Sequence, residues 1–160
     1  MTLQELQDLI DRSLFATLAC HDEEGHIQVR RVFCTWHRGL ARHLISTNTS
    51  SRHVGSLLRD GRASLYFSDD ERFEGLNLTG SAIVHSERPW KQLLWHDGDE
   101  RYYPNGVDDA DYCVMEFAAE NGCFYRADGK GTLDAETMAA WDAGREFADT
   151  YTPAHAEPDT

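Results

Sequence analysis

The segment Ser46-Thr47-Asn48-Thr49-Ser50-Ser51-Arg52-His53 gathers hydroxyls, an amide, an arginine and a histidine directly ahead of Val54-Gly55-Ser56-Leu57-Leu58-Arg59. Apolar residues at i, i+3 and i+4 in the second stretch predict a short amphipathic helix that begins near Ser50 and runs through Asp60. A helix start leaves backbone N–H groups unpaired and carries the positive end of the macrodipole. With hydroxyls and an arginine added, such a start suits a phosphate monoester. The same residues would equally serve a helix that needs only N-caps, with Arg52 and His53 turned to solvent. No acid–base pair, nucleophile or triad is legible, so no residue is assigned a catalytic role.

The surrounding elements must hold that segment in place. Residues 2–13 predict a helix, with Leu3, Leu6, Leu9 and Ile10 in a stripe and Thr2 and Glu5 spaced as a capping box. Residues 14–20 predict a strand, and Asp22-Glu23-Glu24-Gly25 a hairpin loop. In 26–36 Ile27, Val29, Arg31, Phe33 and Thr35 share one face, while Gln28, Arg30, Val32, Cys34 and Trp36 share the other. Arginine and bulky apolar residues on both faces are expected where one side meets a core and the other a ligand or a subunit. A turn at 37–39 leads to a return strand at 40–48, and further strands are predicted at 62–69 and 74–85. A short helix is expected at 87–95 behind Pro89, and a polar loop over 96–111. Two closing strands, 112–117 and 122–126, are expected about a Glu120-Asn121-Gly122 turn, followed by a helix over 134–151. Strands joined by short turns, without βαβ alternation, argue a small antiparallel barrel.

At 160 residues the chain is read as one domain over 1–151, with a disordered tail over 152–160. No run of 18 apolar residues and no basic-plus-apolar leader is present, so the expectation is a cytoplasmic protein without a membrane span. Cys20, Cys34, Cys113 and Cys123 are widely spaced and read as free thiols, and eight scattered histidines give no ligand spacing, so no metal site is assigned. A net charge of −13 argues against nucleic acid and anionic membranes as partners. Against it, seven of the 15 Lys and Arg residues fall between 30 and 62. That is either a local anion site or a basic strand face balancing acidic elements.

The ordered set Ser46-Thr47-Asn48-x-x-Ser51-Arg52-x-Val54 and Arg62-Ala63-Ser64-Leu65-Tyr66-Phe67 resembles a phosphate-binding strand, helix and next strand. The family resembled is the FMN-binding split β-barrel superfamily of the pyridoxamine 5′-phosphate oxidases, and within it the general stress protein branch. Arg30-Arg31-Val32-Phe33 is similar to that family's flavin strand, and Leu78-Thr79-Gly80-Ser81-Ala82 to its strand-five Gly-x-Ala pattern. Residues 103–112, Tyr-Pro-Asn-Gly-Val-Asp-Asp-Ala-Asp-Tyr, resemble the segment after the third helix, and the likeness covers roughly residues 3–128.

The resemblance implies a mainly β fold with flanking helices (α+β), a small antiparallel split β-barrel. It also implies a homodimer with an FMN site at each of two equivalent subunit interfaces, and a small-molecule electron donor or acceptor. Arg30, Val32 and Phe33 would line the flavin; Ser46, Thr47, Ser51 and Arg52 would hold its phosphate, with Asn48 and His53 in the same motif. Trp95 would be an aromatic contributed by the partner subunit. An arginine near the pyrimidine end of the ring would favour the anionic reduced flavin. His53 and Thr35 stand where the resembled sequences carry lysines, a change expected to weaken the phosphate grip. The C-terminal Trp-x-x-Arg and Arg-x-x-His elements of the true oxidases do not occur, so vitamin B6 is not the expected substrate. The expectation is therefore an FMN-dependent oxidoreductase; the alternatives are a stress-related flavin-storage protein, or the same fold with deazaflavin, haem or no cofactor.

Overall fold

The computed structural model describes residues 1–152; the predicted tail lies, from residue 153 on, outside the described residues. In chain order it contains α1 (Leu3–Arg12), β1 (Phe15–His21), β2 (Ile27–Phe33), β3 (Trp36–Arg38), β4 (Arg42–Asn48), α2 (Arg52–Arg59), β5 (Arg62–Asp69) and β6 (Glu74–His85). Then come α3 (Arg88–Leu94), β7 (Tyr112–Arg126), β8 (Gly129–Asp134), α4 (Ala135–Asp142) and β9 (Ala148–Asp149). Two single 3-10 turns, Asp99–Arg101 and Gly106–Asp108, interrupt the polar loop expected before β7. The strands form one curled antiparallel sheet in the order β2-β1-β5-β6-β7-β4-β3-β9, with β8 paired to β7. This is the mainly β, helix-flanked split barrel that the sequence implied.

The inner face encloses the main core, built from Leu18, Ile45, Leu65, Phe67, Leu76, Leu78, Met115 and Phe117, all at most 1% exposed. Helix α1 closes it. Its capping box forms as predicted, Glu5 N–H donating to Thr2 Oγ1 at 3.1 Å and Thr2 N–H to Glu5 Oε2 at 2.6 Å. Leu6, Leu9 and Ile10 are then fully buried, each worth about 1.5–3 kcal/mol relative to an exposed side chain. A second, aromatic cluster of Leu44, Leu94, Tyr103, Tyr112 and Val114 lies on the outer side of β4 and β7 beneath α3, with Trp36, Trp90, Trp95 and Phe147 packed on it.

Four features differ from expectation. Residues 112–126 form a single 15-residue strand, not two strands about a turn. Its register with β6 shifts between Thr79 and Gly80, leaving Glu120 as the extra residue, so a bulge absorbs the polar stretch and the ladder continues. Gly80 makes this possible, since a Cβ there would sit 2.0 Å from the Ala118 carbonyl oxygen. Strand β8 was not foreseen. The helix expected over 134–151 stops at Asp142, because Gly144 takes a left-handed φ of +77° and turns the chain into β9 against β3. Strand β2 also ends earlier than expected, at Phe33.

Candidate functional site

Strand β4 delivers Thr47 to the inner side of the sheet and, after a three-residue turn, α2 begins beside the exposed strand β2. Between them lies a cleft of about 780 Å³ lined by Arg30, Thr49, Ser50, Ser51, Arg52, His53 and Arg59, with Cys20 and the acidic hairpin loop Asp22–Glu24 at its other wall. Ser51 is the N-cap of α2, yet its side chain makes no capping hydrogen bond. The cap-only reading of these hydroxyls therefore fails at Ser51. The backbone N–H groups of Arg52 and His53 also have no partner among the described residues, as first-turn donors do unless something outside the helix supplies one. Arg52 is exposed and forms no ion pair among the described residues.

His53 is 6% exposed and sits inside this wall. Its Nε2 lies 2.8 Å from Thr47 Oγ1, and its Nδ1 is in contact with Arg30 Nη1. Burial, and then the Arg30 charge, push its pKa down to about 4, so the ring is neutral near pH 7. Burial likewise raises the Cys20 thiol at the cleft floor. On the far side Glu23 pairs with Arg59 at 3.2 Å, joining the hairpin to α2. Asp22 orders that hairpin by accepting from Glu24 N–H at 3.0 Å and His26 N–H at 2.9 Å.

Of the residues expected to hold a cofactor, the fold brings together Arg30, Thr47, Ser51, Arg52 and His53. The rest lie elsewhere, Ser46, Asn48 and Phe33 because strand alternation turns them to the opposite face. Ser46 points to the outer side, beside Tyr112. Asn48 shares that side and donates to Asp111 Oδ2 at 2.7 Å. Val32 is buried in the main core, and Phe33 faces away from Arg30, its ring 6.0 Å from Phe15 and 5.6 Å from Tyr151. Trp95 packs on the outer side of the sheet, 5.6 Å from the Tyr112 ring, and does not line its own chain's cleft. Thr35 is buried and donates to Asp149 Oδ1 at 2.8 Å.

Sequence reasoning missed Asp111, which holds the site from behind. It accepts from Asn48 Nδ2 and, at Oδ1, from Ser50 N–H at 2.8 Å, while its carbonyl accepts from Thr49 N–H at 2.8 Å. The Asn48 amide and then the Ser50 N–H hold its carboxyl below the usual carboxylate range. Its signal was present in the Asp-Asp-Ala-Asp-Tyr run at 108–112, recognised only as a family segment. The basic window also divides. Arg30, Arg52 and Arg59 line the cleft, whereas Arg31 covers the Phe15 ring, Arg42 pairs with Glu116 and Arg62 with Asp60.

Curled split barrels with a polar helix start beside an edge strand define a class, and the chain belongs to it. Residues 2–125 match the family described as pyridoxamine 5′-phosphate oxidase, and the chain is a member of that family. A solved structure from Clostridium acetobutylicum, described as related to general stress protein 26 of B. subtilis in the pyridoxinephosphate oxidase family, is 36% identical. The match covers 85% of this chain and 96% of that one, with a TM-score of 0.77. General stress protein 26 from Bacillus anthracis shares the fold at 13% identity, over 84% and 99% of the two chains, TM-score 0.67. A haem-binding protein from Mycobacterium smegmatis shares it at 17% identity over 86% of this chain and 60% of that one, TM-score 0.69. No curated protein matches the chain. Among the described residues no helix is long and apolar enough to cross a membrane.

Proposed function

We propose that the chain binds FMN, with its phosphate received at the start of α2, and works as an FMN-dependent oxidoreductase on a small electron donor or acceptor in the cytoplasm. The observation that carries this reading is the open helix start. Ser51 Oγ, the Arg52 and His53 N–H groups, the Arg52 guanidinium and Arg30 converge on one cleft, a donor set that fits a phosphate monoester. Bound there, FMN would supply hydride and single-electron transfer, and the protein would supply position and electrostatics. Arg52 and Arg30 would bind the phosphate charge; Thr47 and Ser51 would orient its oxygens.

Strand β2 supports a homodimer. It is an edge strand with Ile27 68% and Val29 63% exposed, apolar side chains that a second copy would cover. Haem is the second reading, prompted by the mycobacterial neighbour. The cleft's histidine has both ring nitrogens engaged, which favours FMN over an axial haem ligand here.

The test is an absorption spectrum of the purified protein before and after addition of FMN and desalting. Retained flavin bands are expected, and Arg52→Ala combined with Thr47→Ala should abolish them while circular dichroism stays unchanged. A Soret band instead would establish the haem reading. A colourless protein that holds neither would overturn both.

A further inference from the structure

The histidine in this wall touches both residues that flank it, and the chemistry of those contacts fixes its protonation. Arginine only donates hydrogen bonds. Nδ1 of His53, which faces Arg30 Nη1, must therefore be the accepting nitrogen. The ring proton is then on Nε2, donated to Thr47 Oγ1 at 2.8 Å. With its oxygen accepting from the imidazole, Thr47 has its own hydroxyl hydrogen left to give elsewhere. Arg30 likewise keeps the N–H groups that do not face the ring.

We propose that the His53 side chain is a positioning group and not a phosphate ligand: its neutral ring ties Arg30 of β2 to Thr47 of β4 and presents their remaining donors to the phosphate group of the cofactor. The proposal rests on the FMN reading above. Both ring nitrogens are used inside the protein, so the imidazole has no donor of its own to offer. Only 6% of the residue is exposed, which leaves the anion to meet Arg30, Ser51 and Arg52 first. The groups facing His53 agree with a neutral ring. Arg30 from β2, and Arg52 and Arg59 from its own helix, are cations, and Cys20 from β1 is a buried thiol. The acids of the cleft, Asp22, Glu23 and Glu24, belong to the hairpin wall, and none bonds to the ring.

The role explains how a weak anion ligand can occupy this place without emptying the site. An arginine on an exposed edge strand has many rotamers, and fixing one of them beforehand lowers the entropy lost when the anion arrives. The tie also links two strands that are not neighbours in the sheet, β2 at one end and β4 toward the other, across the mouth of the barrel.

Nitrogen-15 spectra of the histidine rings, recorded from about pH 8 to 5 with and without FMN, read the tie directly. A neutral ring protonated on Nε2 in both states is expected, and in Arg30→Met that preference should weaken even without flavin. A doubly protonated ring, or a proton on Nδ1, in the FMN-loaded protein would overturn the proposal, because His53 would then be donating to the phosphate. Affinity gives a second readout through the ratio of FMN to riboflavin binding. His53→Gln, whose amide can accept from Arg30 and donate to Thr47, should keep that ratio within about threefold; His53→Leu should lower it roughly tenfold with riboflavin binding unchanged. Equal losses in both variants would also overturn it. If the wild-type protein binds no FMN, the functional reading fails by itself, while the flavin-free spectra of wild type and Arg30→Met still decide whether the tie exists.

Discussion

Ser51 separates a structural from a ligand-binding role at the level of one oxygen atom. An N-cap serine that bonds the helix typically contributes ~1 kcal/mol, and truncating it costs that much. Here the hydroxyl makes no such bond. Ser51→Ala should accordingly change stability by less than about 0.5 kcal/mol in chemical denaturation, yet weaken FMN binding severalfold in a fluorescence titration. A loss of stability comparable to an ordinary cap, with FMN binding unaffected, would return the residue to capping alone. How far these roles were legible differs from residue to residue. The run 46–53 suggested either an anion site or a set of caps by composition, and the resemblance assigned both Ser46 and Thr47 to the phosphate although strand alternation turns them to opposite faces. The contact between Arg30 and His53 was not legible, since it joins positions 23 apart through the curl of the sheet.

Among the elements, β3 and β4 bury a pair of histidines, His37 and His43, against Phe67 and Phe117. Their Nδ1 atoms lie 2.9 Å apart, and His43 Nε2 faces the Leu40 carbonyl at 3.0 Å. Burial pushes His43 down to about 4; burial and then the His43 neighbour push His37 well below its usual value. Because the folded values are depressed, the native state holds fewer protons than the unfolded chain. The stability contribution is fully present above the ordinary histidine value near 6.5 and is lost as pH falls from there toward 4. Stability should drop with a slope approaching about 1.4 kcal/mol per pH unit for each such histidine, His53 included. His43→Phe should flatten part of that slope in denaturation curves taken across the interval, and an unchanged slope would remove the pair from the account. At this scale β5 and β6 were readable to the residue, because their apolar positions alternate and tight turns bound them. Strands β7 and β8 were not, because the signal of a turn at Asn121-Gly122 is the same one that a bulge uses. The end of α4 was marked by Gly144 alone, and an isolated glycine near a helix end reads both ways.

The whole molecule is an acidic split barrel with one sheet edge left bare. Edge strands in soluble proteins are ordinarily guarded by charge, proline or a covering element. Strand β2 carries Arg30 and Arg31 but also exposes Ile27 and Val29, with Phe15 39% exposed on the neighbouring strand. Val29→Lys together with Ile27→Lys should convert a dimer to a monomer in light scattering and lower FMN retention with it, since Val29 also lines the cleft. A protein that stays dimeric would move the interface to another face. The fold was legible at this scale from the resemblance and the strand rhythm together, whereas the dimer was implied by the resemblance alone.

The clamp at Asp111 has a consequence for what can be borrowed from this protein. The turn that opens the candidate cleft is held by a carboxylate 63 positions further along the chain, at the threshold of the longest strand. A peptide or graft carrying only residues 46–59 would transplant the helix and its serines without the grip that sets the turn. The proposed recognition unit is therefore discontinuous. Residues 46–59 and Asp111 would have to be inherited, exchanged or engineered together.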